Sequence, residues 1–219
     1  MQNKAAADVR LPAAYWICLC VFSLVAAWRL FVAIVRGLNA AFYLDFFVSA
    51  CALIAAAMQK GRARNLIAGC GLLATAVLTQ IVGGGYQVNI GGIFMSGSGL
   101  LALRHAADLA YYIIMIAAAV LLLLRRNAAA SAVSLGALLC ALIYTVSSMV
   151  ITTVYTGNFF VTWSWWVQNG MLVPIYYAAM LLLALTVFLL GYDDFIAPFH
   201  RRRRERLLPE NKSARPRGD

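Results

Sequence analysis

Residues 83–112 read GGGYQVNIGGIFMSGSGLLALRHAADLAYY and form the longest interruption in a chain that is otherwise mostly apolar. The stretch opens on a glycine triplet and carries the charged cluster Arg104, His105 and Asp108 near its end. On both sides of it lie apolar runs of about twenty residues, long enough to cross a hydrocarbon layer about 30 Å thick as helices. Whether this stretch crosses the layer decides the number of spans and the side on which each loop lies.

The composition excludes an ordinary water-soluble domain. Of the 219 residues, 63% are hydrophobic and 12% are charged, and the mean hydropathy is +0.82. Soluble domains carry about 25% charged residues. The first apolar run is too long for a signal peptide and lacks a typical cleavage site, so we expect it to be retained as a helix. The sequence therefore predicts an all-α, polytopic integral membrane protein.

Six transmembrane helices are predicted, at residues 12–35, 40–59, 65–84, 108–124, 130–155 and 171–191. They form one domain of residues 12–195, between a short N-terminal segment, 1–11, and a basic tail, 196–219, for which disorder is expected. A seventh span over residues 90–103 is disfavoured, because four glycines and two serines suit a lipid-facing helix poorly. The glycine-rich stretch between the third and fourth helices is therefore predicted to be an outer loop or re-entrant segment, or a short surface helix folded back into the protein.

The basic residues predict the orientation. With both termini inside, 15 of the 18 basic residues fall in inner segments, and only Arg29, Arg36 and Arg104 do not. This asymmetry follows the positive-inside rule and places both termini in the cytoplasm. The predicted outer segments contain no NxS/T glycosylation sequon, which is compatible with the expected bacterial plasma membrane. It also explains most of the formal net charge of +10 without a nucleic-acid partner. The tail arginines are expected to contact membrane lipid.

Polar and aromatic side chains concentrate in the predicted outer half of the protein, whereas the inner halves of the spans are almost entirely aliphatic. This distribution predicts a cup that is open to the outside and closed by apolar helices below. The candidate ligand-binding residues are Arg29, Asp45, Gln80, Arg104, His105, Asp108, Tyr112, Ser148, Thr152, Trp163 and Trp166.

Arg29 is the most informative of these residues. It lies about two helical turns inside the outer boundary, where an unpaired charge costs about 2.5 to 3.5 kcal/mol on insertion scales. Asp45, at the start of the next span, is its expected partner. The pair could be purely structural, the arginine could extend to the membrane surface, or Arg29 could hold an anionic ligand group by bidentate hydrogen bonds.

Two further groups leave similar alternatives open. Arg104 and Asp108 are spaced i, i+4 on one helical face, which suits either a solvated ion pair at the membrane boundary or part of a binding site. Trp163 and Trp166 suit either an interfacial aromatic belt or an aromatic lid over a planar or cationic ligand.

No catalytic constellation is recognisable. The only histidines, His105 and His200, are predicted on opposite sides of the membrane, so they cannot share a metal ion. Ser96 stands where the GxSG turn of an intramembrane serine hydrolase needs glycine, and no P-loop or dinucleotide-binding motif occurs. We therefore predict neither enzymatic activity, nor a cofactor, nor a metal site.

The length, the six predicted spans and the expected ligand contacts from outer segments resemble the substrate-capturing membrane subunits of energy-coupling-factor vitamin importers. In that family, small residues spaced AxxxA on the first helix contact a partner subunit. The nearest matches here are Ser23 and Ala27, with Ala52 and Ala56 on the second span.

The resemblance implies a membrane transport component that binds a small molecule and depends on a protein partner, such as a cytoplasmic ATPase complex. The alternative is a structural or regulatory membrane subunit without its own ligand, such as a permease half or an accessory partner. A paired Arg29 and Asp45, with a collapsed outer loop, would favour that alternative.

Overall fold

A computed structural model describes residues 11–39 and 43–207, and all regular structure within these ranges is helical. A π-helical segment, Leu78–Val82, directly follows the helix Gly61–Val77. The nine α-helices of the described ranges are α1 (Ala13–Val35), α2 (Leu44–Ala57), α3 (Gly61–Val77), α4 (Gly85–Met95), α5 (Gly99–Leu123), α6 (Asn127–Thr156), α7 (Phe159–Gln168), α8 (Leu172–Leu190) and α9 (Tyr192–Leu207).

Five helical segments are long and apolar enough to cross a membrane, which confirms an all-helical protein of membrane type. The second predicted span, 40–59, is not among them, because α2 has only 14 residues and reaches roughly 21 Å at 1.5 Å per residue. Residues 40–42, which precede it, lie outside the described part of the chain. The five segments are Ala13–Val35, Gly61–Val82, Gly99–Leu123, Asn127–Thr156 and Leu172–Leu190.

The glycine-rich stretch is mostly helical, so an outer loop is not confirmed there, and a short helix was one of the predicted alternatives. Gly84 adopts a left-handed conformation, with φ of 67°, and turns the chain from the π-helical segment into α4. After the short connection of residues 96–98, α5 begins at Gly99, nine residues before the predicted start of the fourth span. The apolar residues after Gly99 favour this earlier start, because they extend the apolar run of the span.

Two other segments predicted as irregular contain helices. Helix α7 lies within the predicted second outer loop, and the Asn158 side chain caps it by accepting a hydrogen bond from the Phe160 amide at 2.8 Å. Helix α9 extends into the tail predicted to be disordered from residue 196. Residues 208–219 of that tail lie outside the described residues.

Small residues allow the helices to pack closely. A Cβ atom on Gly71 would lie 2.2 Å from the Cβ of Ala52, so the backbones of α3 and α2 meet with no space for a side chain. Gly69 lies similarly close to Leu123 of α5. Such contacts are typical of helices in lipid, where burial of apolar surface alone does not drive association.

The bundle has two chemically different ends. At what we call the basic end, Asn65 donates to Asn127 at 2.7 Å and Asn127 donates to Asp194 at 2.9 Å, which joins α3, α6 and α9. The loops with Lys60 and Arg125 lie at this end. The opposite end, which we call the polar end, holds the Arg36 side chain bonded to the Gln168 carbonyl.

Candidate functional site

Most of the predicted site residues meet in one layer between the helices, towards the polar end. Arg29 lies roughly 24 Å along α1 from Ala13, and Asp108 roughly 22 Å along α5 from Leu123, at 1.5 Å per residue. This layer thus lies in the half of the bundle that the sequence predicts to be the outer half. It contains two arginines and two carboxylates, but they are held in different ways.

Arg29 and Asp45 form a buried ion pair between α1 and α2, which confirms the partner predicted for Arg29. Their exposed fractions are 7% and 1%. The Asp45 carboxylate also accepts hydrogen bonds from the Phe46 amide at 2.8 Å and from the Thr79 hydroxyl at 2.9 Å. A buried charge pair is tolerated when its remaining hydrogen-bonding capacity is used in this way.

Aromatic rings complete the surroundings of Arg29. Its guanidinium carbon lies 4.9 Å from the ring centroid of Tyr43, 5.1 Å from that of Phe46 and 5.3 Å from that of Tyr176. These distances allow cation–π attraction, which is strongest where water is excluded. Arg29 is therefore neutralised by a carboxylate and covered by rings.

Asp108 is held by neutral donors. The Tyr176 hydroxyl donates to Oδ1 at 3.1 Å and the Asn89 amide donates to Oδ2 at 2.7 Å. Asn89 is in turn bonded to His105 Nδ1 at 3.1 Å, and the hydroxyls of Tyr112 and Tyr176 lie 3.0 Å apart. Because Tyr176 also packs on Arg29, it links the two carboxylate clusters.

The ion pair considered for Arg104 and Asp108 does not form. Among the described residues, Arg29 with Asp45 is the only pair of opposite charges within 4.0 Å. The Arg104 guanidinium instead lies over the ring of Tyr144, 5.4 Å from its centroid. Its Nε atom is buried and has no hydrogen-bond partner in the described part of the chain.

The π-helical segment contributes the other unusual group. Gln80 is 7% exposed, and neither its amide nitrogen nor its amide oxygen has a partner among the described residues. Thr79, in the same segment, reaches Asp45. A π-helical turn widens the helix locally and occurs frequently at functional sites. The widened turn thus places one side chain in the charged network and leaves its neighbour unpaired.

The remaining predicted residues occupy less central positions. Thr152 donates to the carbonyl of Ser148 at 2.8 Å, so its hydroxyl is bonded within its own helix, α6. Trp163 is 45% exposed and Trp166 is 2% exposed, and both lie on α7 with ring centroids 6.4 Å apart. The buried indole nitrogen of Trp166 has no partner within the described ranges.

Sequence reasoning missed four residues of this layer: Thr79, Asn89, Tyr144 and Tyr176. Two of them, Tyr144 and Tyr176, lie inside or at the start of apolar spans. A tyrosine buried among aliphatic residues usually finds a partner for its hydroxyl. The presence of tyrosines within the predicted spans was therefore the signal that could have identified Tyr144 and Tyr176.

Comparisons with protein-family models, with curated proteins and with solved structures each found no match. The chemistry of the layer is therefore the basis for inferring a function. Its unpaired buried groups are the Gln80 amide, which can donate and accept, the Arg104 Nε, which donates, and the Ser148 hydroxyl, which can do both.

Proposed function

We propose that the protein is a membrane transport component that binds a small molecule in the polar layer and works with an energising partner subunit. In this proposal the polar end faces outside and the layer is the floor of the binding cup. The chain supplies recognition without catalysis. The partner, such as a cytoplasmic ATPase complex, supplies the energy.

The observation that carries the proposal is the presence of unpaired polar atoms in the buried layer. Leaving a buried donor or acceptor without a partner costs about 1 to 3 kcal/mol, so proteins seldom retain several of them together. Gln80 and Arg104 both have such atoms at the level of the charged network. A ligand that hydrogen-bonds to them would recover this free energy on binding.

A second candidate function, a structural or regulatory subunit without a ligand, is favoured by a different observation. Arg29 is already paired, and α4 packs so closely that a Cβ on Gly92 would lie 2.2 Å from the His105 ring. These contacts join α1, α2, α4 and α5 without any ligand. In this alternative the unpaired atoms are a tolerated cost of packing.

The proposed orientation rests on the basic loops, with both termini in the cytoplasm of a bacterial plasma membrane. A membrane-impermeant thiol reagent tests it on intact cells, against the background of the five native cysteines. An added cysteine from Asn158→Cys is expected to react and one from Arg62→Cys is not. The reverse pattern would invert the orientation.

Native mass spectrometry of the protein extracted gently from its own membrane tests the function directly. A bound small molecule, with or without an associated ATPase, is the expected result. The Gln80→Leu variant is expected to lose that molecule, while Gln87→Leu, at an exposed position on α4, is expected to retain it. An associated chain with no small molecule would overturn the binding proposal and favour the structural subunit.

A further inference from the structure

Arg104 differs from Arg29 in lacking a negative partner. Its nearest carboxylate along the helix, Asp108, is directed to Asn89 and Tyr176 instead. The Arg104 side chain is half-buried, and its Nε atom is fully buried. The layer therefore contains a cation whose charge is not matched by a contact with a carboxylate.

The side of Arg104 that remains unpaired has a specific geometry. The guanidinium carbon lies 5.4 Å from the centroid of the Tyr144 ring, so this ring covers one side of the group, and the Tyr144 hydroxyl also lies within reach of it. The free Nε belongs to the edge of the guanidinium, where Nε and one terminal nitrogen point in parallel. This edge matches the two oxygens of a carboxylate in a bidentate hydrogen bond.

Neighbouring groups extend the same surface. Tyr144 packs edge-on against Tyr177, with ring centroids 5.7 Å apart, and Tyr177 is close enough to interact electrostatically with Arg104. Ser148, one turn after Tyr144, has a buried hydroxyl that makes no close hydrogen bond with the described residues and lies within reach of the Tyr177 hydroxyl. A donor hydroxyl, two aromatic rings and a guanidinium edge thus meet between α5, α6 and α8.

We propose that Arg104, together with Ser148, Tyr144 and Tyr177, binds a carboxylate group of the ligand. This inference rests on the proposed function and narrows it to organic acids. Arg104 supplies the charge and the paired donors, Ser148 supplies a further donor, and the two rings cover the apolar part next to the carboxylate. Arg29 keeps a structural role, because Asp45 already neutralises its charge.

The test compares acids with their uncharged amides on the purified full-length protein in lipid nanodiscs. Benzoate is compared with benzamide, and glutarate with glutaramide, by the shift that each gives in the melting temperature followed by tryptophan fluorescence. At least one acid is expected to raise the melting temperature where its amide does not. The Arg104→Gln variant is expected to bind that acid more weakly, with an apparent Kd raised about 10-fold to 100-fold.

Two further variants make the result specific. Arg104→Lys keeps the charge but not the planar paired donors, so it is expected to bind the acid more weakly than the wild type while remaining folded. Arg64→Gln removes a half-buried arginine at the basic end, which donates to the Gln59 carbonyl at 3.0 Å, and is expected to bind normally. Equal acid binding by the wild type and Arg104→Gln would overturn the proposal.

The outcomes also separate this proposal from the broader one. If an amide stabilises the protein and its acid does not, the carboxylate site is overturned, whereas the proposed ligand-binding cup is supported. If neither acid stabilises the wild type, the carboxylate site is likewise overturned. If native mass spectrometry also finds no bound small molecule, the proposed binding function is overturned together with the carboxylate site.

Discussion

The two arginines of the polar layer have similar depths and opposite surroundings. Arg29 contacts a carboxylate and three aromatic rings, whereas Arg104 contacts one ring and keeps an unpaired Nε. A buried charge is stable only when its surroundings replace the water that it loses. Arg29 has that replacement within the chain. Arg104 lacks part of it, so depth alone does not show which arginine is available to a ligand.

Removing the carboxylate beside Arg29 is expected to have the largest effect on stability, because it leaves Arg29, like Arg104, without a carboxylate partner. Asp45→Ala leaves a buried guanidinium unpaired and should lower the free energy of unfolding by about 3 to 5 kcal/mol. Unfolding in mixed micelles with increasing SDS measures it. Asp108→Ala is the matched comparison and should cost less, because Asp108 contacts only neutral donors.

A double variant shows whether the charge itself causes that loss. Arg29→Met with Asp45→Leu removes both charges and should recover most of the stability lost in Asp45→Ala, since apolar replacements of buried pairs are often neutral. If Asp45→Ala unfolds within about 1 kcal/mol of the wild type, the pair does not neutralise Arg29 in the way described.

The contact between α4 and α5 provides a second, smaller effect. A Cβ on Gly92 would lie 2.2 Å from the His105 ring, so Gly92→Ala must displace His105 and its bond to Asn89. Overpacking of this kind costs about 1 to 3 kcal/mol, which a lower melting temperature would report. Gly91→Ala is the control, because nothing lies within 4 Å of its added Cβ. Equal melting temperatures for the two variants would mean that α4 does not pack there.

Much of the fold was predictable from hydropathy, because membrane-length apolar runs leave few alternatives. The partner of Arg29 was also predictable, because a tight connection between two spans brings Asp45 near it. The state of residues 85–95 was less so, since the glycines there left a loop, a re-entrant segment and a short helix open, and only packing against α5 reveals why a small residue is needed. The bonding of Asp108 to Tyr176 was equally inaccessible, because it joins residues 68 apart in the chain.

The smallest expected change in stability concerns Gln80, and it tests the unpaired side of the comparison. Gln80→Leu removes two buried polar atoms without partners and leaves an apolar side chain one bond shorter, so the free energy of unfolding should stay within about 1 kcal/mol of the wild type or rise. Asp45→Ala, in contrast, removes a group that is fully paired. If Gln80→Leu unfolds as easily as Asp45→Ala, the Gln80 amide makes contacts that stabilise the fold, and it is not held free for a ligand. Unchanged or improved stability together with loss of the bound molecule would show that Gln80 contributes to binding and not to stability, as residues in functional sites often do.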